Sequence, residues 1–332
     1  MTEIKLILSD RRKAFGKAEK VMIVNRTDES FLSSDGKNRI HYFVYRPSGQ
    51  IKGVVQISHG MCEHIGRYED FAAYLSKQGF AVYGHDHLGH GCSAPDKHDL
   101  GFFGEDFGWQ HLVDDVYEIT KIAKREYPMH KIFLIGHSMG SFIARLYFMK
   151  YGKNLSGLIL SGTSGGNQLN NVGLVLTDFM IKTKGKRHRS KLLKKMMFGN
   201  YNKRYSEHRT ENDWISRDNE IVDTYNADEY CTFTFTNAAV KDLLTMLKMI
   251  SDDCWAESVP KEVPVFLLSG DMDPVGDYGK GVKKVYERLR NAGVKEVSLK
   301  LYPGGRHEML NETNRSEVYA DILSWLNEKA ER

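Results

Sequence analysis

The sequence predicts an α/β fold: a mostly parallel central sheet with helices on both faces and a helical cap inserted late in the chain. Three observations carry this reading. From about residue 40, short apolar runs alternate with longer segments of helical periodicity, and strands separated by helices imply a parallel sheet. The alternation breaks between Thr163 and about Trp255, a gap too long for a loop in a compact domain. The residue types that carry chemistry stand directly after predicted strands, where sheets of this kind build their sites.

Residues 40–45 alternate in polarity and residues 53–58 form a short apolar run, so both read as strands. Helical periodicity follows over 68–77, then an apolar strand over 80–84. The helix over 110–127 stops before Pro128, because a residue preceding proline disfavours helical geometry. Residues 131–135 read as a buried strand, 141–148 as a largely buried helix and 157–161 as the next strand. The pattern resumes with a strand over 264–269 and a helix over 280–291 stopped by Gly293. A last strand over 297–302 and a closing helix over 316–329 complete it. The expected organisation is a core in two parts, 1–163 and 256–332, with a cap over 164–255 built of several short helices and connectors. An insertion at that point hangs over the residues that follow the 131–135 strand; the alternative is a peripheral excursion that never touches them.

A chain of 332 residues, 41% hydrophobic and 11% aromatic, is long enough for one large domain with an insertion and carries enough apolar residues for its core. No apolar run approaches the ~20 residues of a membrane span, and Met1-Thr2-Glu3-Ile4-Lys5 lacks the basic-then-apolar pattern of a secretory signal. Cys62, Cys92, Cys231 and Cys254 are scattered without a C-x-x-C pair, as expected of reduced thiols in the cytoplasm. The net charge of +4 is unevenly spread. Residues 182–204 hold ten Lys or Arg and no acid, and outside them 37 basic residues face 43 acidic ones.

Gly136-His137-Ser138-Met139-Gly140 lies between a predicted strand and a predicted helix, the setting of a nucleophile elbow in a serine hydrolase. Gly162-Thr163-Ser164-Gly165-Gly166 matches the same G-x-S-x-G pattern but leads into Asn167-Gln168 with no immediate helix, so Ser164 reads as a loop residue. A serine hydroxyl needs a base, usually a histidine oriented by a carboxylate, in the chain order serine, acid, histidine for this type of sheet. The 264–269 strand empties into Asp271-Met272-Asp273-Pro274, and the last strand into Pro303-Gly304-Gly305-Arg306-His307. Among thirteen histidines His307 alone follows a strand near the C-terminus. Of Asp271, Asp273 and Asp277, Asp273 is favoured because Pro274 stiffens its turn; Asp271 reads as a turn residue capping its own loop. Two backbone amides complete such a site: that of Met139, after the serine, and that of Met61, in the Ser58–His64 loop after an early strand.

The segments His59-Gly60-Met61-Cys62-Glu63-His64, Asp86-His87-Leu88-Gly89-His90-Gly91-Cys92-Ser93, Gly136–Gly140, Asp271–Pro274 and Gly305-Arg306-His307-Glu308 together resemble the monoacylglycerol lipase and lysophospholipase group of α/β-hydrolases. The resemblance covers roughly 40–163 and 256–330. It implies an α/β-hydrolase fold, a Ser138–Asp273–His307 triad, Met61 and Met139 amides as oxyanion donors, and a monoacylglycerol or lysophospholipid ester as substrate. It departs at Leu88, often arginine, and at Met61, often smaller.

Other readings stay in view. A short-chain carboxylesterase, thioesterase or aminopeptidase would use the same residues, and a non-catalytic binding protein would lack one of them. His85, Asp86, His87 and His90 lack the spacing of a zinc site, so no metal or cofactor is expected. The Gly101–Gly108 stretch has no G-K-[ST] ending and is not a phosphate loop. In 190–198, Leu192, Leu193, Met196 and Met197 form one apolar helical face flanked by lysines. That segment is either a solvated cap helix or an interfacial one facing anionic membrane. No nucleic-acid reader accompanies the basic segment.

Overall fold

The computed structural model describes residues 25–166, 170–205, 207–252 and 254–332. The expectations for Met1–Lys5 and for Asn167 and Gln168 lie outside them. In chain order the elements are β1 (Asn25–Leu32), β2 (Arg39–Arg46), β3 (Gly53–Ser58), α1 (Glu69–Lys77), β4 (Phe80–His85), α2 (Gly108–Glu126), β5 (Ile132–His137), α3 (Met139–Tyr151) and β6 (Gly157–Ser161). The insertion carries α4 (Asn170–Lys184), α5 (Lys191–Phe198), α6 (Asn219–Ala227), α7 (Asn237–Met249) and α8 (Cys254–Glu257). The core resumes with β7 (Val265–Gly270), α9 (Lys280–Asn291), β8 (Val297–Tyr302) and α10 (Arg315–Glu331).

The strands form one sheet in the order β1-β2-β4-β3-β5-β6-β7-β8. β1–β2 and β2–β4 run antiparallel, and every later pair is parallel. Every position of β3, β5, β6 and β7 is buried, which is why these strands read as continuous apolar runs rather than alternating ones. One face packs on Leu112, Val116 and Ile119 of α2, Ile143 and Tyr147 of α3, and Val282, Val285 and Leu289 of α9. The other packs on Phe71 and Leu75 of α1 and Val318, Ile322 and Leu326 of α10. The register sets Ser58 beside Gly136, His137 beside Ser161, and Gly270 beside Tyr302. The loops after β3, β5, β7 and β8 therefore leave one sheet edge in a row.

Three features depart from the sequence reading. β1 was not expected: Asn-Arg-Thr-Asp-Glu-Ser-Phe-Leu is largely exposed on the sheet edge and carries almost no apolar periodicity. α4 and α7, with 15 and 13 residues, are longer than the short helices anticipated. α7 also buries Ala239, Val240, Leu243 and Met246 in the cluster that holds α2 and α3. In α5 the expected apolar face is split: Leu193 is buried and Met197 half-buried, while Leu192 and Met196 are 52% and 53% exposed. Successive helical residues point ~100° apart, and packing turns Leu193 into the core cluster while leaving Leu192 outside it.

Two buried arginines hold the necks of the insertion. Arg145 of α3 donates to the Ser164 carbonyl at 2.8 Å and the Ile250 carbonyl at 2.7 Å, and lies 4.1 Å over the Trp255 ring. Arg288 of α9 donates to the Gly165 carbonyl at 2.9 Å. Among the described residues, no helix is long and apolar enough to cross a membrane.

Candidate active site

Ser138 sits at the corner between β5 and α3 with φ 52° and ψ −121°, a strained conformation that only an over-determined turn holds. Two glycines make the corner possible. A Cβ on Gly136 would meet the Gly140 carbonyl oxygen at 2.5 Å, and one on Gly140 would meet the Ser58 carbonyl oxygen at 2.0 Å. The Ser138 amide donates to the Ser161 carbonyl at 2.9 Å, and its carbonyl accepts the Ser141 amide at 2.8 Å, so the backbone is pinned from β6 and from α3. Ser164 lies in the loop before α4, where its hydroxyl accepts the Gly166 amide at 3.2 Å.

The loop after β3 comes close to Ser138: a Cβ on Gly60 would sit 3.1 Å from the Ser138 Cβ. Neither the Met61 nor the Met139 amide donates to a protein acceptor among the described residues. The loop is held elsewhere. The Gly60 amide donates to the Glu63 carboxylate, which also accepts the Tyr68 hydroxyl at 2.8 Å. The Cys62 carbonyl accepts the Tyr225 hydroxyl from α6 at 2.9 Å.

Asp273 and His307 meet as the sequence predicts. His307 Nδ1 lies 3.0 Å from Asp273 Oδ1, and the two residues are 3% and 0% exposed. Asp273 also accepts the Val275 amide at 2.9 Å and the Ser269 hydroxyl at 3.0 Å. Burial pushes its carboxyl up, but the charge and hydrogen bond of His307 and these two donors outweigh it and hold Asp273 below the usual carboxylate range. Burial pushes His307 down, and the Asp273 charge and hydrogen bond outweigh it and raise His307 above its ordinary value. The neighbouring His137 has no carboxylate partner among the described residues, and burial drives it down to about 3, so it stays neutral. Asp271 caps the opposite loop rather than its own, accepting the Gly304 amide at 2.7 Å; Asp277 is exposed.

Sequence reasoning missed two parts of the site. The first is a buried ionic network: Arg67 contacts Glu63 at 2.8 Å and Glu308 at 2.7 and 2.6 Å. Burial and Glu308 raise Glu63, whereas Arg67 outweighs burial and lowers Glu308. It joins the Met61 loop to the residue after His307. Glu63 and Glu308 stand in quoted motifs, but nothing local in the sequence marks them as buried. The second is cap contact. The Trp214 ring lies 5.0 Å from His307 and packs on Phe198 and Tyr201, so a residue of the insertion touches His307.

The histidines of the 85–90 segment are buried and packed on one another. His59 and His87 lie 4.3 Å apart, His90 stacks on Phe103 at 5.5 Å, and burial pushes His85 and His90 down to about 4. Asp86 accepts the Ile65 and Cys92 amides at 2.8 Å each. Among the described residues the groups able to share a cation are His41, Asp86 and Cys92, and His64, Asp228 and Cys231; neither contains His85, His87 or His90.

The serine aminopeptidase S33 family model matches residues 49–314. A monoacylglycerol lipase of Mycolicibacterium smegmatis is 30% identical over 91% of this chain and 97% of its own length. The crystal structure of a thermostable carboxyl esterase from Bacillus coagulans in complex with glycerol superposes with a TM-score of 0.87 at 35% identity, covering 92% of this chain and 99% of that one. A monoglyceride lipase structure from Saccharomyces cerevisiae, at 19% identity over 96% of this chain and 99% of that one, shares the fold with a TM-score of 0.73. The chain therefore belongs to the serine aminopeptidase S33 family and is an ester hydrolase of the monoacylglycerol-lipase-like group of α/β-hydrolases.

Proposed function

We propose that this protein is a serine hydrolase that cleaves the carboxylic ester of a single-chain lipid, a monoacylglycerol or a lysophospholipid, through an acyl-enzyme. The observation that carries the reading is the buried Asp273–His307 pair at 3.0 Å on the sheet edge that also bears the strained Ser138. In this scheme His307 uses Nδ1–H to donate to Asp273, which leaves Nε2 free to take the Ser138 proton. Ser138 Oγ attacks the ester carbonyl carbon, and the carbonyl oxygen becomes an alkoxide held by the amides of Met61, in the loop after β3, and of Met139, at the N-terminus of α3. One such donor contributes about 3 kcal/mol to the transition state. The C–O bond then breaks, the leaving alcohol takes the proton from His307, and water attacks the acyl-enzyme with His307 again as base. Asp273 orients the ring and stabilises the imidazolium.

The substrate reading is supported by the monoacylglycerol lipase relative. Residues 164–255 serve as the cap in this scheme, with α7 as its anchor on the core of 1–163 and 256–332. Of the ten basic residues in 182–204, Lys186 and Arg187 pair with Asp106 and Asp99, Arg189 holds the Thr234 and His98 carbonyls, and Arg204 lies over Tyr278. Lys182, Lys184, Lys191, Lys194, Lys195 and Lys203 make no ion pair with the described residues, which supports a peripheral contact of the cap with anionic membrane. Four free thiols support a reducing, cytoplasmic setting.

A fluorophosphonate probe tests the chemistry. Labelling of the wild type that is lost in Ser138→Ala is expected; equal labelling of the two would refute Ser138 as the nucleophile. The similarity to a carboxyl esterase favours a second reading, a short-chain carboxylesterase. A p-nitrophenyl ester series decides between them: turnover that falls beyond short acyl chains rejects the lipid reading.

A further inference from the structure

We propose that the cap segment Asp213–Ser216 is the mechanical support of His307, with Trp214 as its positioning residue, so that the base is in register only while this segment is seated. The inference rests on the reading of His307 as the general base.

Four consecutive carbonyls of the insertion accept from three consecutive residues of the histidine loop. Arg306 Nη1 donates to the Asp213 carbonyl and, at 3.0 Å, to that of Ser216. The His307 amide reaches the Trp214 carbonyl at 3.4 Å, and the Glu308 amide reaches that of Ile215 at 2.7 Å. The segment is stiff in its own right. The Asp213 carboxylate accepts the Arg209 amide at 2.6 Å, the Thr210 amide at 3.1 Å and the Thr210 hydroxyl at 2.6 Å. Beyond it, buried Glu312 binds the amides of Arg217 and Arg306 at 3.0 and 2.9 Å, joining the two strips again.

The side chains continue the same contact. The hydrogen bond to Asp273 fixes His307 at Nδ1, but a ring held at one atom still swings about its bonds. Its faces must be packed to fix the direction of Nε2. His137 supplies one contact from the core, with ring centroids 4.7 Å apart, and Trp214 supplies the other from the insertion at 5.0 Å and 39°. Trp214 is itself braced by Phe198 and Tyr201, at 6.2 and 4.9 Å. The acid loop is tied to the insertion as well, since the Tyr205 hydroxyl donates to the Met272 carbonyl at 2.7 Å. A misplacement of about 1 Å in a reacting group costs on the order of a hundredfold in rate, so packing of this kind has kinetic weight.

The test compares wild type, Trp214→Ala, Trp214→Phe and His307→Ala on a soluble short-chain ester, with the downfield proton resonance of His307 Nδ1–H as a second readout. Turnover is expected to vanish in His307→Ala. In Trp214→Ala, kcat should fall roughly ten- to a hundredfold with KM within about threefold, and the resonance should broaden by exchange with water. Trp214→Phe should restore both. A folded Trp214→Ala with wild-type kcat and a sharp resonance overturns the inference while leaving His307 as the base. Activity retained in His307→Ala overturns the base reading and the inference with it. Should Trp214→Ala fail to fold, Arg306→Met removes two of the four carbonyl contacts without touching the ring. A kcat loss of at least about tenfold is then expected, and wild-type kcat in it refutes the coupling.

Discussion

Replacing Arg67 by methionine would leave Glu63 and Glu308 facing each other without a cation. The three hydrogen bonds lost measure 2.8, 2.7 and 2.6 Å, and the carboxylate side chains are only 4% and 6% exposed. Breaking a buried ion pair from one side costs about 3–5 kcal/mol, because the remaining charge stays desolvated. An unfolding entropy of ~2.1 cal/mol/K per residue over this chain amounts to about 0.7 kcal/mol/K, which converts that loss into a Tm drop of about 4–7 °C. The pH dependence carries a definite sign. Burial opposes ionisation of Glu308, yet Arg67 outweighs it and holds the group below its ordinary value. Its contribution is therefore present above the unfolded carboxylate pKa and is lost as pH falls through the lower folded value. In the variant both carboxyls, buried without the cation, prefer to be protonated. Thermal unfolding at pH 7.5 and pH 5 should show the gap between wild type and variant narrowing on acidification. A Tm within 1 °C of wild type at pH 7.5, or a gap that widens at pH 5, would refute the reasoning.

Asp273→Asn removes the charge that, against the opposing effect of burial, raises His307, so the acid limb of kcat/KM should move to lower pH while kcat falls by about 10⁴; an unmoved acid limb would sink the assignment. Converting Lys191, Lys194 and Lys195 to glutamine should weaken binding to vesicles containing phosphatidylserine roughly a hundredfold, at ~1 kcal/mol per lysine near the surface. Equal binding of the wild type to neutral and anionic vesicles would reject the membrane contact.

The legible parts of this protein are those whose signal is local. Strands covered on both faces read as apolar runs, and β3, β6, α9 and β8 were found at their true bounds. The elbow was legible because a strand-to-helix corner demands glycine at positions 136 and 140, and Asp273 and His307 because each follows a strand directly. β1 was illegible for the same reason, since an exposed edge strand needs no apolar alternation. The face of α5 was half legible: the sequence offers four apolar side chains, and only packing decides that Leu193 turns inward while Leu192 and Met196 stay outside.

By itself, then, the sequence determined the fold class, the order of the strands from β2 onward and the three residues brought to one sheet edge. Those properties follow from hydrophobic periodicity and turn chemistry, which act over a few residues. Tertiary structure alone decided the Glu63–Arg67–Glu308 network, the arginine clips at Ser164 and Ile250, and the seat of Asp213–Ser216 against His307. Their partners lie as far as 241 residues apart in the chain. A buried charge or an aromatic contact depends on which surfaces meet, and that is set only when the whole sheet and its insertion are assembled.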